Sequence, residues 1–218
     1  MEKPALEWRG GVPVSTRFAD PYFSLDNGLA ESRHVFLSGT GLPGAFRDGY
    51  QIAELGFGTG LNLCAAIEAW GRRDGGFSFT SFEAYPMTQA DLAHALAAWP
   101  DIAETAAALV KGYQTETPFQ VGPASVQIIV GDARDTVPTW SGRADAWFLD
   151  GFAPARNPEL WSAELMRAVA AHTRPGGRCA TYTAAGHVRE SLKQAGFEVI
   201  RQSGYGRKRH MTTGHLTP

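Results

Sequence analysis

The feature that most constrains the fold is an alternation of two kinds of segment, which begins at Gln51 and continues almost to the C-terminus. Short apolar runs rich in aromatic and β-branched residues predict strands, and longer runs with helical spacing of their apolar residues predict helices. Such alternation favours a mostly parallel, doubly wound sheet with helices on both faces. No helix is predicted between the last two strands, which indicates an antiparallel hairpin at one edge.

The pattern predicts seven strands and five helices. The strands cover 51–55, 77–84, 124–132, 144–152, 178–183, 197–204 and 207–216. The helices cover 61–70, 88–99, a segment closed by Gly112, 157–173, and a segment ending at Gly196. Residues 11–50 are rich in Gly, Pro and aromatic residues, which indicates loops and short strands. We therefore expect one structural domain, in which an N-terminal segment (1–50) packs on an α/β domain (51–218).

Composition narrows the class of protein. Of the 218 residues 44% are hydrophobic and 19% are charged, which is typical of a globular chain and not of a disordered one. The chain has twenty Lys and Arg residues and twenty-two Asp and Glu residues, so it carries no net positive charge that would attract nucleic acid. A nucleic-acid site would therefore have to be a local basic patch. The N-terminus has no signal-peptide pattern, and no apolar run approaches the roughly 18 residues that span a bilayer. We expect a cytoplasmic protein without membrane contact.

Neither cysteine nor histidine spacing indicates a metal site. Cys64 and Cys179 each lie in an apolar segment and are expected to be reduced core residues. The six histidines show no ligand spacing. No metal is therefore expected.

The first chemical signal is the bend ELGFGTGLN, between a predicted strand and a predicted helix. Gly56, Gly58 and Gly60 allow a tight turn and bring bare backbone against a ligand. A dinucleotide fingerprint needs its third glycine at position 61, which is Leu61. The spacing instead resembles motif I of the class I methyltransferases, whose Rossmann-like, seven-stranded fold we adopt. A tight turn without a ligand is the alternative.

Three carboxylates lie at strand ends near this bend. Glu83 ends the second strand, where a carboxylate can accept both ribose hydroxyl protons, and Asp132 ends the third, where it can accept the adenine amino proton. Solvated strand-end carboxylates are the alternative for both. Glu54 ends an otherwise apolar strand, and burying it is costly without a partner. The ammonium of a cofactor or nearby backbone donors can provide one.

The sequence LDGFAP, which ends the fourth strand, supplies the catalytic candidate. Methyl transfer to nitrogen requires a free lone pair that is aimed at the methyl carbon. The Asp150 carboxylate can accept an N–H bond, fix that direction and take the proton. Phe152 can stack on a substrate base. The alternative for Asp150 is a turn or helix-capping carboxylate.

The motifs ELGFGTGLN, FEAYP and LDGFAPxxNPELW, the tail GYGRKRHM and the early PYFSLDNGLAESRHVF together resemble one family. It is the tRNA 5-methylaminomethyl-2-thiouridine methyltransferases, known as MnmD when standalone and as the N-terminal half of bifunctional MnmC. The resemblance runs from about Asp20 to His215. It implies transfer of a methyl group from S-adenosylmethionine to the aminomethyl nitrogen of a wobble (2-thio)uridine in tRNA.

The resemblance also assigns roles to residues. The expected cofactor-binding residues are Glu54, Gly56, Phe57, Gly58, Gly60, Asn62, Glu83, Asp132 and Ala133. Asp150 and Phe152 are expected to meet the amine and the base, and the weaker pocket candidates are Tyr22, Asn27 and Glu31. In bifunctional relatives an FAD-dependent oxidase follows. This chain ends at Pro218 without a second dinucleotide loop, so it resembles the standalone form and is expected to receive its amine from a separate enzyme.

The concentrated basic stretch near the C-terminus is the candidate RNA surface. If it lies in the closing strand, Arg207 and Arg209 share one face and Lys208 lies on the other. One face would then bind phosphates while the other pairs with acidic surface. Because one short run neutralises few phosphates, further basic residues are expected to help; the candidates are Arg17, Arg33, Arg47 and Arg156.

Three other functions stay open from the residues alone. A small-molecule amine N-methyltransferase is favoured by the near-neutral net charge. A non-catalytic S-adenosylmethionine-binding module would keep the fold without the chemistry. An NAD-linked dehydrogenase is disfavoured by Leu61.

Overall fold

The computed structural model describes residues 2–24 and 26–217. The strands are β1 (Leu6–Arg9), β2 (Val12–Ser15), β3 (Asp20–Pro21), β4 (Tyr50–Leu55), β5 (Phe77–Glu83), β6 (Phe119–Val121), β7 (Ala124–Val130), β8 (Ala144–Leu149), β9 (Thr173–Thr181), β10 (Phe197–Ser203) and β11 (His210–Leu216). The α-helices are α1 (Gly28–Ser32), α2 (Leu61–Trp70), α3 (Gln89–Leu96), α4 (Ala103–Gly112), α5 (Ala133–Thr136), α6 (Ala163–Ala171) and α7 (Gly186–Gln194).

The central sheet has the strand order β10-β11-β9-β8-β4-β5-β7-β6. Its middle five strands are parallel, and β11 pairs antiparallel with both β9 and β10. The predicted α/β fold with an antiparallel edge hairpin is confirmed. The predicted count of seven strands is wrong, because β6 adds an eighth strand antiparallel to β7. It is only three residues long and turns back through Gly122 at φ +53°, so its pattern is too short to predict a strand.

The core lies on both faces of this sheet because successive side chains of its strands alternate between them. Ile52 and Phe148 contribute to the cluster under α2 and α4, whereas Leu55 and Trp147 contribute to the cluster under α6 and α7. All four side chains are fully buried. Strands buried on both faces explain why their sequences are almost continuously apolar.

The N-terminal segment covers one end of the sheet. Its strands β1, β2 and β3 form a separate antiparallel sheet, and α1 runs directly into a π-helical turn, Arg33–Ser38. Val35, Phe36 and Leu37 of that turn pack in the same core cluster as β4 and α2. Because the segment shares a core with the rest of the chain, we propose to treat the whole as one structural domain.

Several boundaries differ from the prediction. The strands predicted over 124–132 and 144–152 end earlier, at Val130 and Leu149, and the helix predicted over 88–99 ends at Leu96. The single helix expected over 157–173 is a 3-10 turn, Pro158–Trp161, followed by α6, because Ser162 adopts an extended conformation and caps α6 through the Leu165 N–H. The strand expected from Arg178 begins at Thr173.

The closing hairpin contains a further correction. Its last strand begins at His210, so Arg207, Lys208 and Arg209 lie in the connecting loop and not in a strand. Gly206 adopts φ +57° there, and the Lys208 N–H donates to the Tyr205 carbonyl. The strand alternation that we predicted for these three residues is therefore wrong. Within the described ranges, no helix is both long enough and apolar enough to span a membrane.

Candidate active site

The parallel strands β4, β5, β7 and β8 end at one cavity of about 1040 Å³. The carboxyl edge of an open α/β sheet is where such folds bind ligands. The cavity is lined by the bend after β4, by the ends of β5, β7 and β8, by several residues of the N-terminal segment between Arg17 and Ser32, and by the loop between β10 and β11. It therefore brings together most of the predicted site residues.

The glycine bend forms the floor of this cavity. Gly58 has φ +54°, and a Cβ there would lie 3.2 Å from the Tyr22 ring, which lies close against the bend. Gly60 has φ +74°, and a Cβ there would lie only 2.6 Å from Leu109, so larger residues are excluded at both positions. Gly56, Phe57 and Gly58 line the cavity, whereas Gly60 lies behind it against α4.

Glu83 ties the end of β5 to the bend. Its carboxylate accepts the Gly58 N–H at 2.9 Å and the Tyr85 N–H at 2.8 Å. Burial raises the pKa of Glu83, and the backbone donors partly offset that rise. The side chain lines the cavity, and the lone pairs that these two amides leave free can accept further donors.

Asp132 lines the cavity in a more exposed setting, with Ala133 beside it. It caps α5 through the Arg134 N–H, and the Arg134 guanidinium contacts both of its carboxylate oxygens, at 2.6 Å for the shortest. Hydrogen bonding to Arg134 lowers the pKa of Asp132. Asp132 is therefore ionised at neutral pH.

Glu54 lies behind the cavity wall and not in it. Its carboxylate is 1% exposed and accepts the Asn62 Nδ2–H at 2.9 Å and the Ser81 hydroxyl at 2.8 Å. Burial raises its pKa well above the ordinary value. The hydrogen-bond donors of the Glu54 carboxylate are thus side chains. They are neither the cofactor ammonium nor the backbone donors that the sequence suggested.

Asn62 connects Glu54 to Asp150. Its Nδ2 also donates to Asp150 Oδ2 at 2.8 Å, and its Oδ1 accepts the Ser32 hydroxyl. The other oxygen of Asp150 accepts the Gly151 N–H at 2.8 Å. The Asp150 carboxylate is therefore fixed in orientation while it faces the cavity.

Burial raises the pKa of Asp150 to about 6, against the opposing effect of hydrogen bonds from Gly151 and Asn62. A carboxylate with such a pKa is ionised at pH 7 and still close enough to neutrality to accept a proton. This is the property required of a general base.

Aromatic rings form the wall above Asp150. Phe18 stacks on Phe152 with centroids 4.7 Å apart, and Tyr22 meets Phe152 edge-on at 5.0 Å. Asp20 accepts the Ala153 N–H at 2.8 Å and so holds the N-terminal segment against the loop after β8. The wall is thus built from two distant parts of the chain.

The loop between β10 and β11 reaches into the same cavity. The Lys208 ammonium lies 2.7 Å from Glu31 Oε1 and 4.0 Å from the centroid of the Tyr182 ring. The Tyr182 hydroxyl donates to the Gly151 carbonyl at 2.7 Å. Arg207, in contrast, extends outward, with 91% of its side chain exposed and Asp26 at 3.5 Å.

Several predicted residues do not reach the cavity. Asn27 caps α1 by accepting the Ala30 N–H, and Arg209 and Arg33 do not line the cavity. Arg47 lies at the opposite end of β8, where it pairs with Asp145 at 2.6 Å, so it cannot extend an RNA surface at this edge. Arg17 and Arg156 do line the cavity.

Sequence reasoning missed other lining residues, among them Phe18, Tyr85, Arg134 and Tyr182. Tyr182 directly follows the last residue of β9, so the strand-end rule that found Asp150 could have found it too. Phe18 carried no signal, because the fold of a loop-rich segment decides which of its aromatic residues face the cavity.

A model of the S-adenosyl-L-methionine-dependent methyltransferase family matches residues 97–217, more than half of the chain. The chain belongs to this family. The methyltransferase thus uses S-adenosyl-L-methionine, and the NAD-linked alternative is excluded. The predicted class I fold and cofactor are confirmed.

Known relatives extend the match to the glycine bend. The methyltransferase is 43% identical over 94% of its length to the tRNA 5-methylaminomethyl-2-thiouridine biosynthesis bifunctional protein MnmC of Caulobacter sp. (strain K31), of which it covers 37%. It is 42% identical over its whole length to the MnmC protein of Methylobacillus flagellatus, of which it covers 36%. The sequence resemblance is thereby confirmed, and the chain spans little more than a third of these relatives.

A solved structure supports the same relationship. The crystal structure of MNMC2 from Aquifex aeolicus superimposes with a TM-score of 0.77 at 25% identity, over all of this chain and 72% of that one.

The donor set of the cavity fits the cofactor. A nucleoside with a charged amino-acid tail needs bare backbone for close approach and carboxylates for its hydroxyl and amino protons. The glycine bend, Glu83 and Asp132 provide these on one continuous surface, with room for a second ligand beside Asp150.

Proposed function

We propose that this methyltransferase transfers the methyl group of S-adenosylmethionine to the aminomethyl nitrogen at position 5 of (2-thio)uridine at the tRNA wobble position. One observation carries the proposal: the fixed, half-buried carboxylate of Asp150 lies where the glycine bend and the wall of Phe18 and Phe152 meet. An electrophile on one side and a flat base on the other would both come within its reach.

We propose roles for the lining residues on the same basis. Gly56, Phe57, Gly58, Glu83, Asp132 and Ala133 bind the cofactor, and Glu54 acts through Asn62. Asp150 takes a proton from the amine, Phe152 and Tyr22 hold the base, and Glu31 closes the amine end. Arg207 and Arg209 bind phosphates with help from Arg17 and Arg156; all but Arg209 also line the cavity. The reaction takes place in the cytoplasm, and a separate enzyme supplies the aminomethyl group.

The reaction needs little from the protein beyond orientation and a base. When bound, S-adenosylmethionine supplies an electrophilic methyl group on its sulfonium. Asp150 removes one proton from the substrate ammonium, which frees the nitrogen lone pair for in-line attack. Phe152 and Tyr22 exclude water from that nitrogen, and Asn62 and the Gly151 N–H keep the carboxylate oriented.

A direct test uses purified protein, S-adenosylmethionine labelled in its methyl group, and two tRNA preparations. One preparation carries 5-aminomethyl-2-thiouridine at the wobble position and the other carries unmodified uridine. We expect label only in the first, recovered in the wobble nucleoside after digestion. Absence of label with protein that binds S-adenosylhomocysteine would overturn the substrate assignment.

One observation favours a second candidate, a small-molecule amine N-methyltransferase. The chain has a net charge of −2, and Lys208, expected to face RNA or an acidic surface, pairs with Glu31 inside the cavity. This leaves fewer cations for phosphates. The salt dependence of KM separates the candidates, because a tRNA substrate gives a KM that rises steeply with salt and a free amine does not.

A further inference from the structure

The ammonium of Lys208 lies at the amine end of the cavity, although the sequence places it in a basic surface stretch. Only 42% of its side chain is exposed, against 91% for the adjacent Arg207. Two contacts hold it: an ion pair with Glu31 at 2.7 Å and the face of the Tyr182 ring at 4.0 Å. A phosphate ligand would be expected to extend outward, as Arg207 does.

Carboxylates lie on one side of this ammonium. Glu31 from α1 pairs with it, and Asp150 after β8 is close enough for Lys208 to lower its pKa. Asp20 of β3 lies, like these two, near Tyr182, and Glu54 is linked to Asp150 through Asn62. The other charged residues that line the cavity are Arg17, Asp26, Glu83, Asp132, Arg134, Arg156, Glu159 and Arg207. Lys208 lowers the pKa of Asp150 and Glu31 raises it. Without Lys208, Glu31 and Asp150 would favour the protonated form of an amine bound beside them.

An amine that stays protonated cannot react, because the proton occupies the lone pair that must attack the methyl carbon. A neighbouring cation disfavours the ammonium form, since like charges within about 4–6 Å shift a pKa by one unit or more. The same cation stabilises an ionised carboxylate nearby. Lys208 is placed to act on the substrate amine and on Asp150 in these two ways. The Tyr182 ring against which Lys208 lies is held by the hydrogen bond from its hydroxyl to the Gly151 carbonyl.

We propose that Lys208 is a positioning residue for the amine substrate: held between Glu31 and Tyr182, it neutralises Glu31, disfavours the ammonium form of the substrate and keeps Asp150 ready to accept a proton. This inference rests on the proposed function. It assigns Lys208 to the amine site and leaves phosphate binding to Arg207 and Arg209.

The proton and electron balance is simple. The substrate enters as R–CH2–NH3⁺ and gives one proton to the Asp150 carboxylate. The freed nitrogen pair then forms the N–CH3 bond while the C–S bond breaks, and its electron pair returns to sulfur to give neutral S-adenosylhomocysteine. The product is R–CH2–NH2⁺–CH3, and Asp150 releases its proton to solvent. Lys208 keeps its own protons throughout.

The test compares Lys208→Met with Lys208→Arg, which retains the charge, and with Arg207→Met, which removes a charge from the same loop. The kcat and KM for tRNA carrying the aminomethyl uridine are measured from pH 6 to pH 9. We expect K208M to lower kcat about tenfold at pH 7, by the loss of roughly one pKa unit, and to recover as pH rises. K208R should stay within about threefold of wild type. R207M should change KM and its salt dependence and leave the shape of the kcat–pH profile unaltered.

A binding measurement without turnover gives the sign. Protein loaded with S-adenosylhomocysteine is titrated at pH 7 with an anticodon stem-loop that carries the aminomethyl uridine. K208M should bind the stem-loop as tightly as wild type or more tightly, because a like charge has been removed from the site of the ammonium. Binding weakened tenfold, with an unaltered kcat–pH profile, would make Lys208 a phosphate ligand and overturn the inference.

Two controls keep the results distinct. Wild-type turnover of the same tRNA is measured first, so that a wrong substrate is recognised before any variant is interpreted. If K208M does not fold, as judged by its melting temperature, Lys208→Gln carries the same expectations. A K208Q profile identical to that of wild type would equally overturn the inference.

Discussion

The two halves of the cavity are built in different ways. The rim half comprises the bend 56–58, Glu83 and Asp132, and backbone amides within a few residues of the strand ends donate to both of its carboxylates. The covering half comprises Phe18, Tyr22, Glu31, Tyr182 and Lys208, in which side chains from distant segments contact one another or the loop after β8. The rim half follows from the sheet, whereas the covering half exists only when the whole chain has folded.

This difference suggests a division of labour that mutations can break or sharpen. Substitutions in the rim half should lower the affinity for the cofactor, and substitutions in the covering half should raise the KM for tRNA. Substitution of Asp150, where the two halves meet, should lower kcat alone.

The largest expected effect belongs to Asp150→Asn. The amide keeps the shape but cannot take a proton, so kcat should fall roughly 100-fold or more while the Kd for S-adenosylhomocysteine changes less than about threefold. Single-turnover methyl transfer and calorimetric titration measure the two quantities. The exposed Asp101→Asn serves as control. Undiminished turnover in D150N would remove the base from the mechanism and leave the protein dependent on solvent for proton removal.

Glu83→Gln should come next. A Gln amide group cannot accept both the Gly58 and the Tyr85 N–H, so an amide proton is left facing a backbone donor. We expect S-adenosylhomocysteine to bind about tenfold to 100-fold more weakly, from the 1.5–3 kcal/mol typical of a hydrogen bond to a charged group. The exposed Glu164→Gln is the matched control. If E83Q raises only the KM for tRNA and leaves cofactor binding unchanged, the proposed division between the two halves is contradicted.

Phe18→Ala tests the covering half. Loss of the ring that stacks on Phe152 should raise the KM for tRNA roughly tenfold, within the 1–3 kcal/mol of a base–aromatic contact, and leave cofactor binding unchanged. Phe18→Tyr retains the ring and should restore most of the loss. If F18A weakens cofactor binding as much as tRNA binding, the two halves are one unit.

The pH dependence of wild-type activity tests whether Asp150, where the two halves meet, acts as the base. Because burial raises the pKa of Asp150 to about 6, the carboxylate is mostly ionised at pH 7 and mostly protonated at pH 5. The substrate amine stays protonated throughout this range. We therefore expect kcat/KM to fall about tenfold from pH 7 to pH 5. A flat profile over this range would mean that Asp150 does not act as the base.

Arg134→Met should have the smallest effect. The ion pair of Arg134 with Asp132 is half exposed, and such pairs contribute about 0–1 kcal/mol. Cofactor affinity should change less than about threefold, because Asp132 also accepts the Arg134 backbone N–H, which the substitution keeps. A loss above tenfold would show that the guanidinium itself contacts the cofactor.

The same division explains what the sequence could predict. Glu83, Asp132 and Asp150 were found because strand ends and glycine spacing are local signals that the parallel sheet converts into one edge. The sequence also indicated the unusual burial of Glu54, but not its partners, since Ser81 carries no pattern of its own and Asn62 was expected to bind the cofactor. That Asn62 links Glu54 to Asp150 is visible only in the folded structure.

The covering half was harder to predict for a physical reason. Lys208 was expected in a strand, and a hairpin loop that begins after Ser203 instead carries its ammonium to Glu31. Tertiary packing decides which side of a loop a side chain occupies, and no periodicity reports it. Phe18 could not be predicted because no local pattern separates an aromatic residue in a cavity wall from one in the core, whereas Tyr182, directly after β9, was within reach of the strand-end rule.

The most direct measurement is a crystal structure of the protein with S-adenosylhomocysteine and an anticodon stem-loop that carries 5-aminomethyluridine. We expect the amine nitrogen within hydrogen-bonding distance of the Asp150 carboxylate, the uracil ring against Phe152, and the cofactor sulfur next to that nitrogen on the side of the glycine bend. An amine bound away from Asp150, or a cofactor that does not touch the bend and Glu83, would contradict the claim that one cavity brings both reactants to this carboxylate.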